Sequence, residues 1–308
     1  MKIVITEFMD LSSVEALKAR FDTLYDAGLI DRPADLMAAV ADADAIIVRN
    51  RTQVRGELLA AANKVRVVGR LGVGLDNIDL AACKARGIEV IPATGANALA
   101  VAEYVIGTAM LLLRGAYFSS SEVAAGNWPR GPLSNGRETG GKTMGIIGFG
   151  SIGQLSARLA CALGMTTLAY DPMIAADAPL WAQTDTACVP LQDLLQRSDV
   201  VTLHMPLVDS TRNLIDATRL AMMKPDAILI NTARGGIVDE AALAAALRNG
   251  RLGAAALDVF ADEPLMAGSP LADCPNLLLT PHIAGVTVEA NTRVSSMIAE
   301  RVAAFLAT

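Results

Sequence analysis

Short apolar runs alternate with segments of helical period along most of the chain. In the first hundred residues the runs at 3–6, 45–48 and 65–68 predict buried strands, and the segments 15–21, 33–41 and 56–62 predict helices. The pattern restarts at residue 143. Runs at 143–147, 166–170, 200–203, 227–231, 255–259 and 277–279 predict strands, with helices over 154–163, 191–197 and 240–248. Strands that are apolar throughout and separated by helices describe parallel sheets covered on both faces. The chain therefore reads as α/β, with two doubly wound parallel-sheet domains.

Residues 98–113 form an apolar run interrupted by Glu103 and shorter than a bilayer span, which predicts a buried helix and no membrane partner. Residues 115–142 are rich in Gly, Ser, Pro and Asn, carry Trp128-Pro129, and predict an exposed arm suited to a dimer contact. A last helix over about 288–306 predicts that the chain returns to its first domain. The expected domains are thus 1–97 with 286–308, and 98–285.

Composition narrows this picture. At 308 residues the chain exceeds what one core usually supports. It is 53% apolar but only 4% aromatic, so its cores must be built from Ala, Val, Leu and Ile. A net charge of −6 with no basic face or tail argues against nucleic-acid binding, and an anionic substrate would need a local cationic pocket. Cys83, Cys161, Cys188 and Cys274 are scattered, which predicts reduced thiols in a cytoplasmic protein rather than metal ligands or disulfides. Met1 leads straight into a strand, so no signal peptide is expected.

The stretch with the most chemistry is Gly145-Ile-Ile-Gly-Phe-Gly-Ser-Ile-Gly153. Gly148, Gly150 and Gly153 keep the G-x-G-x-x-G spacing between a strand and a helix, the pattern of a dinucleotide site. The first glycine allows the tight turn, the second lets backbone approach a pyrophosphate, and the third lets helix and strand pack closely. The helix N-terminus aims free N–H groups at the phosphates, and Ser151 and Ile152, between the glycines, are assigned to the cofactor with them. The next strand ends in Asp171, eighteen residues beyond Gly153. A carboxylate there accepts ribose hydroxyls and repels a 2′-phosphate, which predicts NAD as the cofactor.

Ligands of open α/β sheets collect outside the carboxyl ends of strands. Two such ends in the first domain carry Arg49, Arg51 and Arg70, candidates for gripping an anion, and Val73 and Gly74, whose backbone N–H groups could receive a carboxylate. In the second domain three strand ends deliver Arg234, Glu263 and His282. These suit oxidation of an alcohol to a ketone: an imidazole takes the hydroxyl proton, a carboxylate holds the ring, and a guanidinium grips the substrate carboxylate. His204, the other of only two histidines, follows a strand with no carboxylate beside it and is assigned to lining the cofactor site.

Those residues lie in RLGVGLDNID (70–79), ANALAVAE (96–103), GIIGFGSIG (145–153), LHMPL (203–207), NTARGG (231–236), ALDVFADEPL (256–265) and TPHIAG (280–285). Together these motifs resemble the D-2-hydroxyacid dehydrogenase family over nearly the whole chain. The resemblance implies a Rossmann NAD-binding domain and a discontinuous, flavodoxin-like substrate domain. It implies Arg234 for the substrate, Glu263 as partner of His282, His282 as acid/base, Val73 and Gly74 amides for the carboxylate, Asp171 for ribose and Asp258 for the nicotinamide amide. Pro206, Thr232 and Ala233 are assigned with them to the cofactor. It further implies a homodimer.

Within the family, EFMD (7–10), DRP (31–33) and VRNRTQV (48–54) resemble the (S)-sulfolactate dehydrogenases. That predicts hydride transfer between NAD and a small anionic 2-hydroxy or 2-oxo acid, (S)-3-sulfolactate to 3-sulfopyruvate. The alternatives are D-3-phosphoglycerate dehydrogenase, which VGRLGVGLDNID resembles, a general 2-oxoacid reductase, or an NAD-sensing regulatory scaffold without turnover. With no partner-binding extension or disordered tail in view, the expectation is an enzyme.

Overall fold

A computed structural model describes residues 1–308. The chain divides into two compact units, Met1–Asn97 with Val286–Thr308, and Ala98–Gly285. No helix is long and apolar enough to cross a membrane.

The first unit holds one parallel sheet of five strands: β1 (Lys2–Ile5), β2 (Asp22–Tyr25), β3 (Ala45–Val48), β4 (Val67–Arg70) and β5 (Glu89–Pro92), in the order β2-β1-β3-β4-β5. This is the flavodoxin-like order, whose switch point, where strand order reverses, lies between β1 and β3. Alternate residues serve two cores, as the two-residue period of a strand requires. Ile3, Ile5, Ile47 and Val67 pack beneath the helix Val288–Leu306 through Ile298 and Val302. Val4, Ile46, Val48 and Val68 pack with Val40, Leu58 and Leu59 on the other face.

The second unit holds seven parallel strands: β6 (Thr143–Ile147), β7 (Thr166–Tyr170), β8 (Thr186–Cys188), β9 (Val200–Leu203), β10 (Ile228–Asn231), β11 (Ala254–Leu257) and β12 (Leu277–Leu279). Their order is β12-β11-β10-β9-β6-β7-β8, a doubly wound sheet with its switch point between β6 and β9. Met144, Ile146, Ile228 and Ile230 face a core that includes Val105 and Leu113 of the helix Ala98–Arg114. Ile147, Val201, Leu203 and Leu229 face the other, with Leu194 and Leu243.

Several elements depart from the periodicity. The strand expected at 65–68 is Val67–Arg70, because pairing with β3 sets Val67 opposite Ala45 and draws Arg70 into the ladder. The first helix is Leu11–Lys18, four residues earlier than expected, because the Asp10 side chain accepts from the Ser12 N–H and caps it. The helix after the glycine turn begins at Ser151, not Gln154, so Gly153 lies inside it. Three edge strands, β2, β5 and β8, are short and lack the fully buried apolar run of the central strands. The segment 115–142 contains a short helix, Ser120–Ala124, and a 3-10 turn, Pro132–Asn135, and leaves Tyr117, Phe118 and Trp128 well exposed.

Candidate active site

The switch point of the second unit is built around Gly148. Its φ is +89°, and an added Cβ would lie 2.5 Å from the backbone oxygen of His204, so the turn after β6 packs against the end of β9 as only glycine permits. A Cβ on Gly153 would meet the Gly148 oxygen at 2.4 Å, which fixes the start of the helix Ser151–Ala162 against the turn. Gly150 is different: nothing lies within 4 Å of its Cβ position. Its site is open, and no side chain caps the helix N-terminus it precedes. The first-turn N–H groups of Ser151, Ile152 and Gly153 have no partner within the helix, the situation that favours a phosphate.

Asp171, after β7, reaches back to this turn. Its Oδ2 accepts from the Phe149 N–H at 2.8 Å and its Oδ1 from the Met173 N–H at 2.9 Å, which pins the carboxylate beside the glycine turn. At the end of β10 the buried Thr232 Oγ1 has no partner in the protein. The uncapped helix, the open face at Gly150, the anchored carboxylate and the orphaned hydroxyl all fit a bound dinucleotide.

His204 Nε2 lies 3.0 Å from Thr202 Oγ1, and burial pushes its pKa down to about 3. Burial thus favours the neutral ring and makes it a weak base. Pro206, two residues on, caps the same end of the sheet, where its oxygen accepts from Thr211 Oγ1 at 2.7 Å.

The ends of β10, β11 and β12 bring the second cluster together. Asn231, almost fully buried, accepts from the Ala233 N–H (3.0 Å) and donates from Nδ2 to the Arg234 oxygen (2.9 Å), which folds the chain into the turn that carries Arg234. Arg234 Nη1 donates to the Ala233 oxygen at 2.6 Å. A Cβ on Gly235 would fall 1.7 Å from the Phe260 oxygen, so the Arg234 turn lies directly on the turn leading to Glu263. Glu263 is held at both oxygens. Oε1 accepts from the Phe260 N–H at 3.0 Å, and Oε2 lies 2.7 Å from His282 Nδ1. With Nδ1–H committed to the carboxylate, Nε2 is the ring nitrogen left for a ligand. The pair is partly open to solvent, with side-chain exposures of 50% for His282 and 36% for Glu263.

His282 has φ +56°, the left-handed region that few non-glycine residues adopt. Asp258 holds it there. The Asp258 oxygen accepts from the His282 N–H at 2.8 Å, while its nearly buried carboxylate accepts from Thr280 Oγ1 (2.6 Å), the Ile283 N–H (2.8 Å) and the Ala284 N–H (2.8 Å). Tyr104 extends this chain through its hydroxyl, 2.6 Å from Thr280 Oγ1. Together these contacts brace the histidine loop.

In the first unit, Arg49 and Arg51 follow the carboxyl end of β3, and Arg70 and the turn with Val73 and Gly74 lie at the carboxyl end of β4. Arg49 is half-buried, its Nη2 donates to Asn291 Oδ1 at 2.9 Å, and its guanidinium lies 5.6 Å from the Phe8 ring centroid. Burial lowers its pKa, without approaching a range in which it would lose its charge. Arg70 curls over Gly72, with Nη1 donating to the Leu71 oxygen at 2.8 Å. Val73 is 38% exposed in the adjoining turn. The guanidinium of Arg51 is paired at the surface with the Asp31 carboxylate. An exposed partner within reach satisfies it locally.

Residues 106–284, more than half of the chain, match the family described as D-isomer specific 2-hydroxyacid dehydrogenase, NAD binding domain. A protein named (S)-sulfolactate dehydrogenase from Chromohalobacter salexigens is 51% identical over 300 residues, covering 97% of this chain and 96% of its own. A D-3-phosphoglycerate dehydrogenase from Mycobacterium tuberculosis is 40% identical over 305 residues, covering 99% of this chain but 57% of its own. This chain spans little more than half the length of that enzyme. Among solved structures, a D-lactate dehydrogenase from Aquifex aeolicus complexed with NAD and lactic acid matches with a TM-score of 0.85 and 29% identity, covering 99% of this chain and 95% of that one. The chain belongs to the D-isomer specific 2-hydroxyacid dehydrogenase family and is an NAD-dependent oxidoreductase acting on a CH–OH group.

Proposed function

We propose that the enzyme interconverts (S)-3-sulfolactate and 3-sulfopyruvate, with Arg234, Glu263 and His282 performing the chemistry. The observation that carries the mechanism is the anchored pair, His282 Nδ1 to Glu263 Oε2 at 2.7 Å, with the second carboxylate oxygen fixed on the Phe260 N–H. NAD, when bound, would supply the hydride chemistry at the substrate's C2. His282 Nε2 takes the C2 hydroxyl proton in oxidation and returns it in reduction. Glu263 orients the ring and stabilises the imidazolium while the proton is held there. Arg234 binds the substrate carboxylate and polarises the C2 oxygen. Gly148, Gly150, Ser151, Ile152 and Gly153 receive the pyrophosphate, Asp171 the ribose, and His204, Pro206, Thr232 and Ala233 line the remainder of the cofactor site.

The substrate carboxylate is also received by the Val73 and Gly74 amides, and the sulfonate by Arg49 and Arg70. The relative from Chromohalobacter supports the sulfonate reading, and so does stereochemistry. Replacing the methyl of D-lactate by a sulfonated methylene raises that carbon above the carboxylate in naming priority. The same spatial arrangement is then named S, so a D-specific family acting on the S isomer is self-consistent.

Two further features belong to this reading. Tyr117, Phe118 and Trp128, each well exposed, support a homodimer through the 115–142 segment. The four cysteines are free thiols, which supports a reducing, cytoplasmic setting.

Steady-state reduction of 3-sulfopyruvate, 3-phosphohydroxypyruvate and pyruvate with NADH tests the substrate. A charge-assisted contact is worth about 1.5–3 kcal/mol, so kcat/KM for 3-sulfopyruvate should exceed that for pyruvate by about 10- to 100-fold. Preference for the phosphorylated acid would replace sulfonate by phosphate in this reading. Equal rates on all three would describe a general 2-oxoacid reductase.

A further inference from the structure

Glu7 lies at the switch point of the first unit, directly after β1, and it is only 4% exposed. The loop after β3 is folded around its carboxylate. Oε1 accepts from the N–H groups of Arg49 and Thr52, both at 2.9 Å, and Oε2 from those of Asn50 (3.3 Å) and Arg51 (3.0 Å). Burial alone would raise its pKa, but the amides of Thr52, Arg51 and Arg49 outweigh it and keep the group below the usual carboxylate range. Glu7 is therefore an ionised carboxylate in a nest of four amides.

The surroundings make the brace stiff. Thr6 Oγ1 lies 2.8 Å from Thr52 Oγ1, and both side chains are fully buried. Asn77 Nδ2 donates to the Thr52 oxygen at 2.7 Å and the Arg49 oxygen at 3.4 Å, tying in the loop that carries Val73 and Gly74. Arg51 is drawn aside to Asp31. The stretches 7–10, 31–33 and 48–54, separate in sequence, thus form one assembly through Glu7, Asp31 and the loop amides. Its consequence is chemical. The loop amides are committed to an internal carboxylate and cannot receive an anion, so the cation this loop presents at the switch point is the Arg49 guanidinium.

We propose that Glu7 is a positioning residue for substrate selection: by filling the amide nest of residues 49–52 it fixes Arg49 to receive the second anionic group of the substrate. This rests on the sulfonate reading above. It differs from a merely structural role, which would lower stability and affect every substrate alike.

The test compares kcat and KM for 3-sulfopyruvate and pyruvate in wild type, Glu7→Gln, Glu7→Asp, Arg49→Ala and the Glu7→Gln/Arg49→Ala double variant. Misplacing a binding group by about 1 Å costs up to roughly 100-fold, so Glu7→Gln should raise the KM for 3-sulfopyruvate by about tenfold or more and erode its preference over pyruvate. In the Arg49→Ala background the same change should shift that preference little further, because the group it positions is gone. Glu7→Asp keeps the charge and should restore part of the preference. If Glu7→Gln does not fold, Glu7→Asp compared with wild type gives the same reading with a smaller shift. Equal losses on both substrates, or multiplicative effects in the double variant, would overturn the proposal. If wild type prefers 3-phosphohydroxypyruvate, the sulfonate reading falls and the comparison is made with that acid. If wild type prefers neither anionic acid, both readings fall together.

Discussion

His282→Ala should cut turnover by orders of magnitude while leaving NADH bound. General acid–base groups contribute typically about 10²–10⁴-fold, so kcat should fall by that factor in both directions. The fold has little reason to respond. The imidazole is half exposed, and the loop beneath it is held by the Asp258 carboxylate through Thr280, Ile283 and Ala284 rather than by the histidine ring. Alanine does meet the φ of +56° at some strain, so His282→Asn, better tolerated in the left-handed region, is the companion variant. Both should show a melting temperature close to wild type and an unchanged NADH dissociation constant. Loss of NADH affinity in both would assign His282 to the cofactor site instead.

The glycine turn makes a second large and separable prediction. Gly150 has φ −75° and ψ −160°, ordinary extended backbone, and its Cβ position is open. Gly150→Ala should therefore change stability by no more than about 0.5 kcal/mol. The same methyl group stands where a pyrophosphate must approach the first-turn N–H groups, and losing a charge-assisted contact of about 1.5–3 kcal/mol should weaken NADH binding by about 10- to 100-fold. Gly148→Ala is the contrast. Its φ of +89° and the 2.5 Å approach to the His204 oxygen strain the protein itself, so it should melt earlier with or without cofactor. NADH titration of Gly150→Ala with unchanged affinity would move the phosphate site away from this turn.

What could be read from the sequence follows a physical rule. Central strands such as β6, β9 and β10 are buried on both faces and appear as uninterrupted apolar runs. The glycine spacing and Asp171 are local in sequence, and so legible. Arg234, Glu263 and His282 could be linked because each follows a strand, and strand ends of one parallel sheet share an edge. The braces were not legible. Glu7 lies more than forty residues from the amides it binds, and Asp258 serves a loop that begins more than twenty residues later. A buried carboxylate satisfied by backbone N–H groups leaves no motif, because the donors are present in every residue but proline. Side-chain direction was likewise hidden: nothing near Arg51 in sequence shows that Asp31 holds it. The edge strand β2, alternately exposed, lacks the continuous apolar run that marked the others.

The central claim is that His282, steadied by Glu263, moves the proton of a 2-hydroxy acid. A crystal structure of the enzyme with NADH and the unreactive (S)-3-sulfolactate tests it most directly. The distance to measure runs from His282 Nε2 to the C2 hydroxyl oxygen. A value of about 2.6–3.2 Å, with Nδ1 still on Glu263, is the predicted result. An imidazole turned away from that oxygen, or released from Glu263, would contradict the account.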